Sequence, residues 1–310
     1  MAKKNKQGLY SILLYTILIL YSVVTLLPFL WTVSASFKEY GEIVGGGFNL
    51  IPKKFTLDNY KFLFNSGADF PVWIINSIFV ATVGTAVNVL LNTMSGYVLA
   101  RREFAGKKIF FGIIVLILAV PGQVLMIPNY IILAKMGLLN SLWSLILPAS
   151  INASYIFMMR QFYINFPVDV EEAASIDGLS KIGTFFKMAL PLAKPALGAQ
   201  AIFIFMGFWN EFMKPLLYIS SASKYTLPRG LESFKSTYFT EWNKIMTASV
   251  ISILPILFMY IILNKYFRNI KSIKRGSFVM FLRRKLTVMA TVALLSTSLL
   301  AGCSSSGENS

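Results

Sequence analysis

The sequence predicts an all-α polytopic membrane protein, with six transmembrane helices and a short seventh hydrophobic segment near the C-terminal end. Three observations carry that expectation. Of the 310 residues, 56% are hydrophobic and only 14% are charged, where a soluble chain carries about 25% charged residues. The apolar residues are not spaced along one helical face. They run in blocks, and a block of about 18 residues or more is long enough to cross a bilayer. Within the bilayer no water reaches the backbone, so each block satisfies its own amides as a helix.

The blocks cover roughly 10–36, 72–100, 109–133, 138–159, 196–217 and 245–267, and the shorter seventh covers roughly 286–302. The second is rich in small residues: Ala81, Thr82, Gly84, Thr85, Ala86, Ser95 and Gly96. Such residues let helices approach closely where lipid supplies little hydrophobic drive, so these positions are expected to face other helices. Pro121 and Pro128 interrupt the third block, Pro148 the fourth and Pro255 the sixth. Each removes a helical hydrogen bond and bends the chain. The fifth block ends in GFWNEFMKPLLY, where Glu211 and Lys214 stand three residues apart and can pair. The segment 37–71, with Gly45, Gly46 and Gly47, reads either as a solvated connection with a short interfacial helix or as a surface for an external partner.

Charge sets direction. With the N-terminus in the cytoplasm, the inner segments hold Lys3, Lys4 and Lys6; Arg101, Arg102, Lys107 and Lys108; Arg160, Lys181, Lys187 and Lys194; and the eight basic residues from Lys265 to Lys285. That is nineteen of the 29 Lys and Arg, and basic residues favour the inside. The net charge of +16 is then a topology signal, and nucleic acid is not an expected partner. The chain has no histidine and one cysteine, Cys303, which excludes a histidine base, a His or Cys-cluster metal site and an internal disulfide. No GxxxxGK[ST] pattern is present for binding ATP. No catalytic residue, metal or cofactor is therefore expected in this chain. Blocks one to four carry no ionisable residue at mid-depth, which argues against an ion-coupled carrier or channel acting alone. A membrane scaffold without a transport role is the other alternative reading.

The inner loop between the fourth and fifth blocks contains VDVEEAASIDGLSKIGTFFKMALP. Asp169 is placed to cap a short helix, with Glu172 three residues on completing a capping-box-like pattern. Gly178 suits the left-handed position that ends such a helix. Ser180 is placed to cap a second helix, expected to stop near Pro191. Locally this is either an ordinary surface helix or a small acidic knob for a basic-edged groove.

The loop resembles the EAA motif of bacterial ABC importer permeases: EAA, three residues, Gly, nine residues, Ile, one residue, Leu-Pro. Glu172, Ala173 and Ala174 match, Gly178 follows, Met188 stands where the motif has Ile, and Leu190-Pro191 close it. The segments INSIFVATVGTAVNVLLNTMSGYVLARREFAGKK, VPGQVLMIPNYIILAKMGLLNS, SLILPASINASYIFMMRQFY, GFWNEFMKPLLY and SKYTLPRGLESF resemble the carbohydrate-uptake branch, in its maltose-transporter-type, six-span form, over roughly residues 10 to 275. The resemblance implies a type I ABC importer permease fold over 1–279, with the coupling loop at 165–191. Glu172, Ala173, Ala174, Asp177 and Gly178 would be the coupling residues, docked in a groove of an ATPase subunit. It further implies sugar import across the bacterial cytoplasmic membrane. The expected assembly is a heterodimer with a related permease, two ATPase subunits that bind ATP and Mg, and an external sugar-binding protein, all within membrane lipid. Trp209, Asn210 and Glu211 are candidates for the substrate pathway, as polar or aromatic groups in a pathway helix; interfacial anchoring explains them equally.

Residues 280–310 read MFLRRKLTVMATVALLSTSLLAGCSSSGENS. A basic start, a short apolar run and Leu300-Ala301-Gly302-Cys303 have the form of a lipoprotein signal peptide whose cysteine is lipidated. The segment is the start of a neighbouring lipoprotein joined to the permease, a seventh span with a lipid anchor at Cys303, or an apolar tail with an inert thiol.

Overall fold

A computed structural model of the chain describes residues 2–65, 69–235 and 240–268. The expected tail at 280–310, with the seventh block and Cys303, lies outside the described residues. Apart from one isolated bridge between Lys235 and Thr240, every regular element described is helical. The elements are α1 (Ala2–Ala35), α2 (Tyr40–Gly45), α3 (Asp58–Asn65), α4 (Phe70–Arg101), α5 (Lys107–Leu118), α6 (Met126–Lys135), α7 (Trp143–Ile146), α8 (Ala153–Ile164), α9 (Asp169–Ile176), α10 (Lys181–Thr184), α11 (Leu190–Leu192), α12 (Lys194–Trp209), α13 (Met213–Tyr218), α14 (Leu227–Leu231) and α15 (Trp242–Arg268).

Three described helices, α1, α4 and α15, are long and apolar enough to cross a membrane, and counting each sharply bent pair as one crossing gives five. The third block is such a pair: α5 and the segment containing α6 meet at 102°, with Pro121 at the bend. The second pair is Lys181–Leu192 against Lys194–Trp209, bent by 78°. Block four, expected as a helix interrupted and bent at Pro148, is broken more fully than a bend. It is α7 and α8 separated by an unwound stretch. Pro148 has no amide N–H to donate, and side chains from α4 satisfy the freed backbone. Asn88 Nδ2 donates to the Ala149 carbonyl, Asn92 Nδ2 donates to the Ser150 carbonyl at 3.2 Å, and Asn92 Oδ1 accepts from the Asn152 amide at 2.8 Å. An irregular backbone stretch among apolar helices persists where protein groups replace water in this way. Pro255 and Pro28, by contrast, lie within α15 and α1, which continue through them.

α4 is the central element, and three apolar clusters lie along it. At its Phe70 end, Phe70, Trp73 and Ala81 pack with Phe205, Trp209 and Leu227. Midway, Val80 packs with Leu133, Leu145, Ile146 and Tyr218. At its Arg101 end, Tyr97 packs with Met159, Tyr163 and Phe185. The small residues explain the close fit. A Cβ on Gly96 would lie 2.7 Å from Met159 Cβ and 2.9 Å from the Arg160 amide of α8, and one on Gly84 would lie 2.6 Å from the Phe208 ring. Ala81, Gly84, Thr85 and Gly96 are buried as expected, whereas Thr82 and Ala86 are exposed, lining with Thr85 an open groove against Leu197, Ala201 and Met259.

Candidate functional site

The EAA loop is built from three local devices. α9 starts one residue earlier than its capping pattern suggests. Val168 is its N-cap and makes no side-chain cap, and the Glu171 and Glu172 amides donate to the Val168 carbonyl at 2.8 and 3.1 Å. Asp169 is therefore the first helical residue and not the cap. Asp169, Glu171 and Glu172 fill the first turn, where the helix dipole favours negative charge. The helix ends as the glycine indicates. Gly178 sits at φ +76°, its amide donates to the Ser175 carbonyl at 3.1 Å, and the Leu179 amide donates to the Ala174 carbonyl at 3.0 Å. This crossed pair is the Schellman closure. Ser180 Oγ then accepts from the Gly183 amide at 3.1 Å and caps α10. A π-turn over Phe185–Ala189 leads into α11, which ends at Leu192, next to the expected Pro191 stop.

The five motif residues do not share one environment. Glu172, Ala173, Asp177 and Gly178 are exposed, while Ala174 is 1% exposed and packs into the protein's own fold. Ile176 is 86% exposed at the tip of the helix. Its position inside ASIDG gave no reason to single it out; it adds an exposed apolar side chain beside the acidic motif residues. Glu171 faces inwards, 3.3 Å from Arg101 Nε at the end of α4. Arg101 also donates to the Phe166 carbonyl and lies over the Phe166 ring, so the end of α4 grips the loop at its entrance.

A second constellation lies among α4, α8, α12 and α13. It is a cavity of about 150 Å³ with polar walls of Asn88, Asn152, Tyr155, Glu211, Lys214 and Thr226 and an aromatic wall from Phe208. Glu211 sits in the break between α12 and α13. Its Oε1 accepts from the Met213 and Lys214 amides at 3.1 and 3.3 Å, and its Oε2 lies 3.2 Å from Lys214 Nζ, the pair expected from the spacing. Thr226 is 3% exposed and its hydroxyl has no partner among the described residues. Of the three pathway candidates, only Glu211 lines this cavity. Trp209 is 2% exposed, stacks on Phe205 and donates from Nε1 to the Ser252 carbonyl at 3.1 Å. Trp209 and Asn210 border a different cleft, shared with Pro228 and Ser249. Asn88, Asn152 and Tyr155 were not singled out in the sequence. Their signal is weak, because polar residues scattered through apolar blocks say nothing of which ones meet in space.

This geometry has known relatives. The chain belongs to the family of binding-protein-dependent transport system inner membrane components, whose family model matches residues 92–270. It is thus a non-catalytic, multi-pass permease of an ABC transporter, which sets aside the ion-coupled carrier and the scaffold. It is 31% identical over 277 residues to the polygalacturonan/rhamnogalacturonan transport system permease protein YtcP of Bacillus subtilis (strain 168), covering 84% of this chain and 96% of that protein. It is 33% identical over 262 residues to the arabinooligosaccharides transport system permease protein AraQ of the same organism, covering 84% and 93%. Among solved structures, a chain of a bacterial ABC transporter involved in the import of the acidic polysaccharide alginate superposes with a TM-score of 0.75 at 21% identity, covering 84% of this chain and 98% of that one. That likeness concerns the fold.

Proposed function

We propose that this permease carries an oligosaccharide across the cytoplasmic membrane, driven by ATP hydrolysed in partner subunits that dock on α9. The observation that carries the reading is the exposed tip of the EAA loop. Glu172, Ala173, Ile176, Asp177 and Gly178 stand out from the fold while Glu171 and Ala174 tie the helix to it. Sugar as cargo is supported by relatives named for polygalacturonan, arabinooligosaccharide and diacetylchitobiose uptake. The polar cavity suits a hydroxylated solute, since an aromatic wall takes a pyranose face and amide, hydroxyl and carboxylate groups take its hydroxyls. Its volume of about 150 Å³ is below the roughly 300 Å³ of pockets that enclose a whole drug-sized ligand, so it would hold one ring of a longer chain. Glu211 is the pathway residue retained here, with Trp209 and Asn210 as its buttress.

The six apolar blocks are read as six crossings, and the basic-residue distribution favours a cytoplasmic N-terminus and α9 on the cytoplasmic side. The full transporter would pair this chain with a related permease, two ATPase subunits that bind ATP and Mg, and an external sugar-binding protein. The permease domain would end near residue 279, and residues 280–310 would be a lipoprotein start joined to it. Mass spectrometry of the purified chain tests that last point: an unprocessed, unlipidated chain sinks the lipidation of Cys303. The coupling role is tested by Gly178→Pro. Loss of ATPase co-purification or of sugar uptake is expected, and intact assembly with intact uptake would refute it.

A further inference from the structure

The Arg101 end of α4 carries another cavity, separate from the one at Glu211. It encloses about 500 Å³ between the last turns of α4 and the segment formed by α10 and its π-turn. Its two ends differ in chemistry. One is apolar, with Met94, Val98 and Phe186 38%, 41% and 45% exposed. The other is cationic, lined by Arg101, Arg102 and Lys181.

The charges there do not cancel. Arg101 faces Glu171, which lies outside the lining, and the lining carboxylate, Glu103, is taken by Lys107 at 2.7 Å. Arg102 has a neutral partner: its Nη2 donates to the Tyr97 hydroxyl at 2.9 Å and its guanidinium lies 5.4 Å from that ring. Lys181 makes no ion pair among the described residues. Two cations on different elements thus face one cavity, neither paired to a carboxylate among the described residues, which draws an anion between them.

The apolar end decides which anion. A free phosphate would engage Arg102 and Lys181 and leave Met94, Val98 and Phe186 uncovered. A molecule with an acyl chain covers both ends at once. The strip from Val98 to Met94 leads back along α4 towards its membrane-crossing middle, so a lipid lying there brings its head to the basic mouth. We propose that this cavity binds the phosphate headgroup of an anionic phospholipid, which bridges Arg102 of α4 to Lys181 of the EAA loop. Basic pockets at the cytoplasmic membrane face recognise such heads. Lys181 lies three residues beyond Gly178, so the lipid is a second tie between the loop and α4, beside the Arg101–Glu171 pair.

The proposal rests on the cytoplasmic placement of this end, and its readout, lipid retention, is independent of whether sugar is transported. The chain is purified with its partner subunits in nanodiscs of phosphatidylcholine containing a minority of phosphatidylglycerol, and retained phosphatidylglycerol is measured by native mass spectrometry. Retention is expected to weaken roughly fivefold for each cation removed in Arg102→Gln and Lys181→Gln. It is expected to be unchanged in Lys108→Gln, which removes an exposed charge outside the cavity. Val98→Trp fills the apolar end without touching a charge and should lower retention as well, so the test survives an arginine variant that fails to assemble. Equal retention in the wild type and in Val98→Trp or the double glutamine variant would overturn the proposal. Displacement of the lipid by inorganic phosphate alone would also overturn it.

Discussion

Arg101 Nε lies 3.3 Å from the Glu171 carboxylate, and the two side chains are only 10% and 14% exposed. The pair joins the last turn of α4 to the first turn of α9. Its alignment is that of an electrostatic contact rather than a hydrogen bond, since neither facing atom has a hydrogen-bond partner. Removing one partner strands the other in a partly buried site. Arg101→Ala is expected to cost about 2 kcal/mol, less than a fully buried pair because some water reaches both groups. Thermal unfolding in detergent measures that cost. The transport-to-ATPase ratio should fall as well, and the exchanged pair Arg101→Glu with Glu171→Arg should recover part of both.

Gly178 gives a prediction that separates conformation from contact. A Cβ there meets nothing within 4 Å, yet φ is +76°. Gly178→Ala therefore incurs only the left-handed backbone cost, about 1–2 kcal/mol, localised at the end of α9. Asn, which tolerates that conformation, should be milder. Retention of the ATPase subunit on affinity-tagged permease should rank Gly above Asn above Ala; the reverse order of Asn and Ala would contradict the Schellman closure.

Two glycines should respond with opposite signs. Gly96→Ala drives a methyl into Met159 and the Arg160 backbone, an overpacking cost of about 1–3 kcal/mol. Gly112 lies in α5 with open space around it, so Gly112→Ala should stabilise by up to about 1 kcal/mol through helix propensity. Melting temperatures of the two variants in one detergent make the comparison.

The unwound stretch between α7 and α8 depends on amide side chains. Asn92→Leu keeps the bulk and removes the groups that serve the Ser150 carbonyl and the Asn152 amide. Each buried group left unpaired costs about 1–3 kcal/mol. Asn92→Leu is expected to lower the yield of folded protein by size-exclusion chromatography more than Leu91→Ala on the neighbouring position.

The long crossings were legible because length and apolarity alone define them: α4 and α15 begin and end within three residues of blocks two and six, and α1 ends one residue from block one although it starts eight residues before it. The EAA loop was legible for a different reason, since glycine and serine act locally, and Gly178 and Ser180 terminate and start helices as their chemistry dictates. Block four was not legible. Its apolar run reads as a helix bent at Pro148, and only the tertiary donors Asn88 and Asn92, some sixty residues away, make a fully unwound backbone stable there. The polar cavity was hidden similarly. Asn88, Tyr155 and Thr226 lie far apart in sequence and gain meaning by meeting Glu211 and Lys214. Asp169 shows the limit of capping patterns: Val168 took the position because its carbonyl was already in helical register.

α4 has 32 residues, so at 1.5 Å each it is a rod of about 48 Å. One end is gripped by the EAA loop through Arg101. The other carries the segment 222–231, where Trp73 Nε1 donates to the Ala222 carbonyl, Ser77 Oγ accepts from the Leu227 amide, and Gly230 sits against the Trp73 ring with no room for a methyl. A swing of about 5° at the gripped end sweeps the far end through roughly 4 Å on a rod of this length. That travel exceeds the length of the bonds Trp73 and Ser77 make there. Length alone therefore gives α4 leverage: a modest angular input at one membrane face would become the making or breaking of whole contacts at the other.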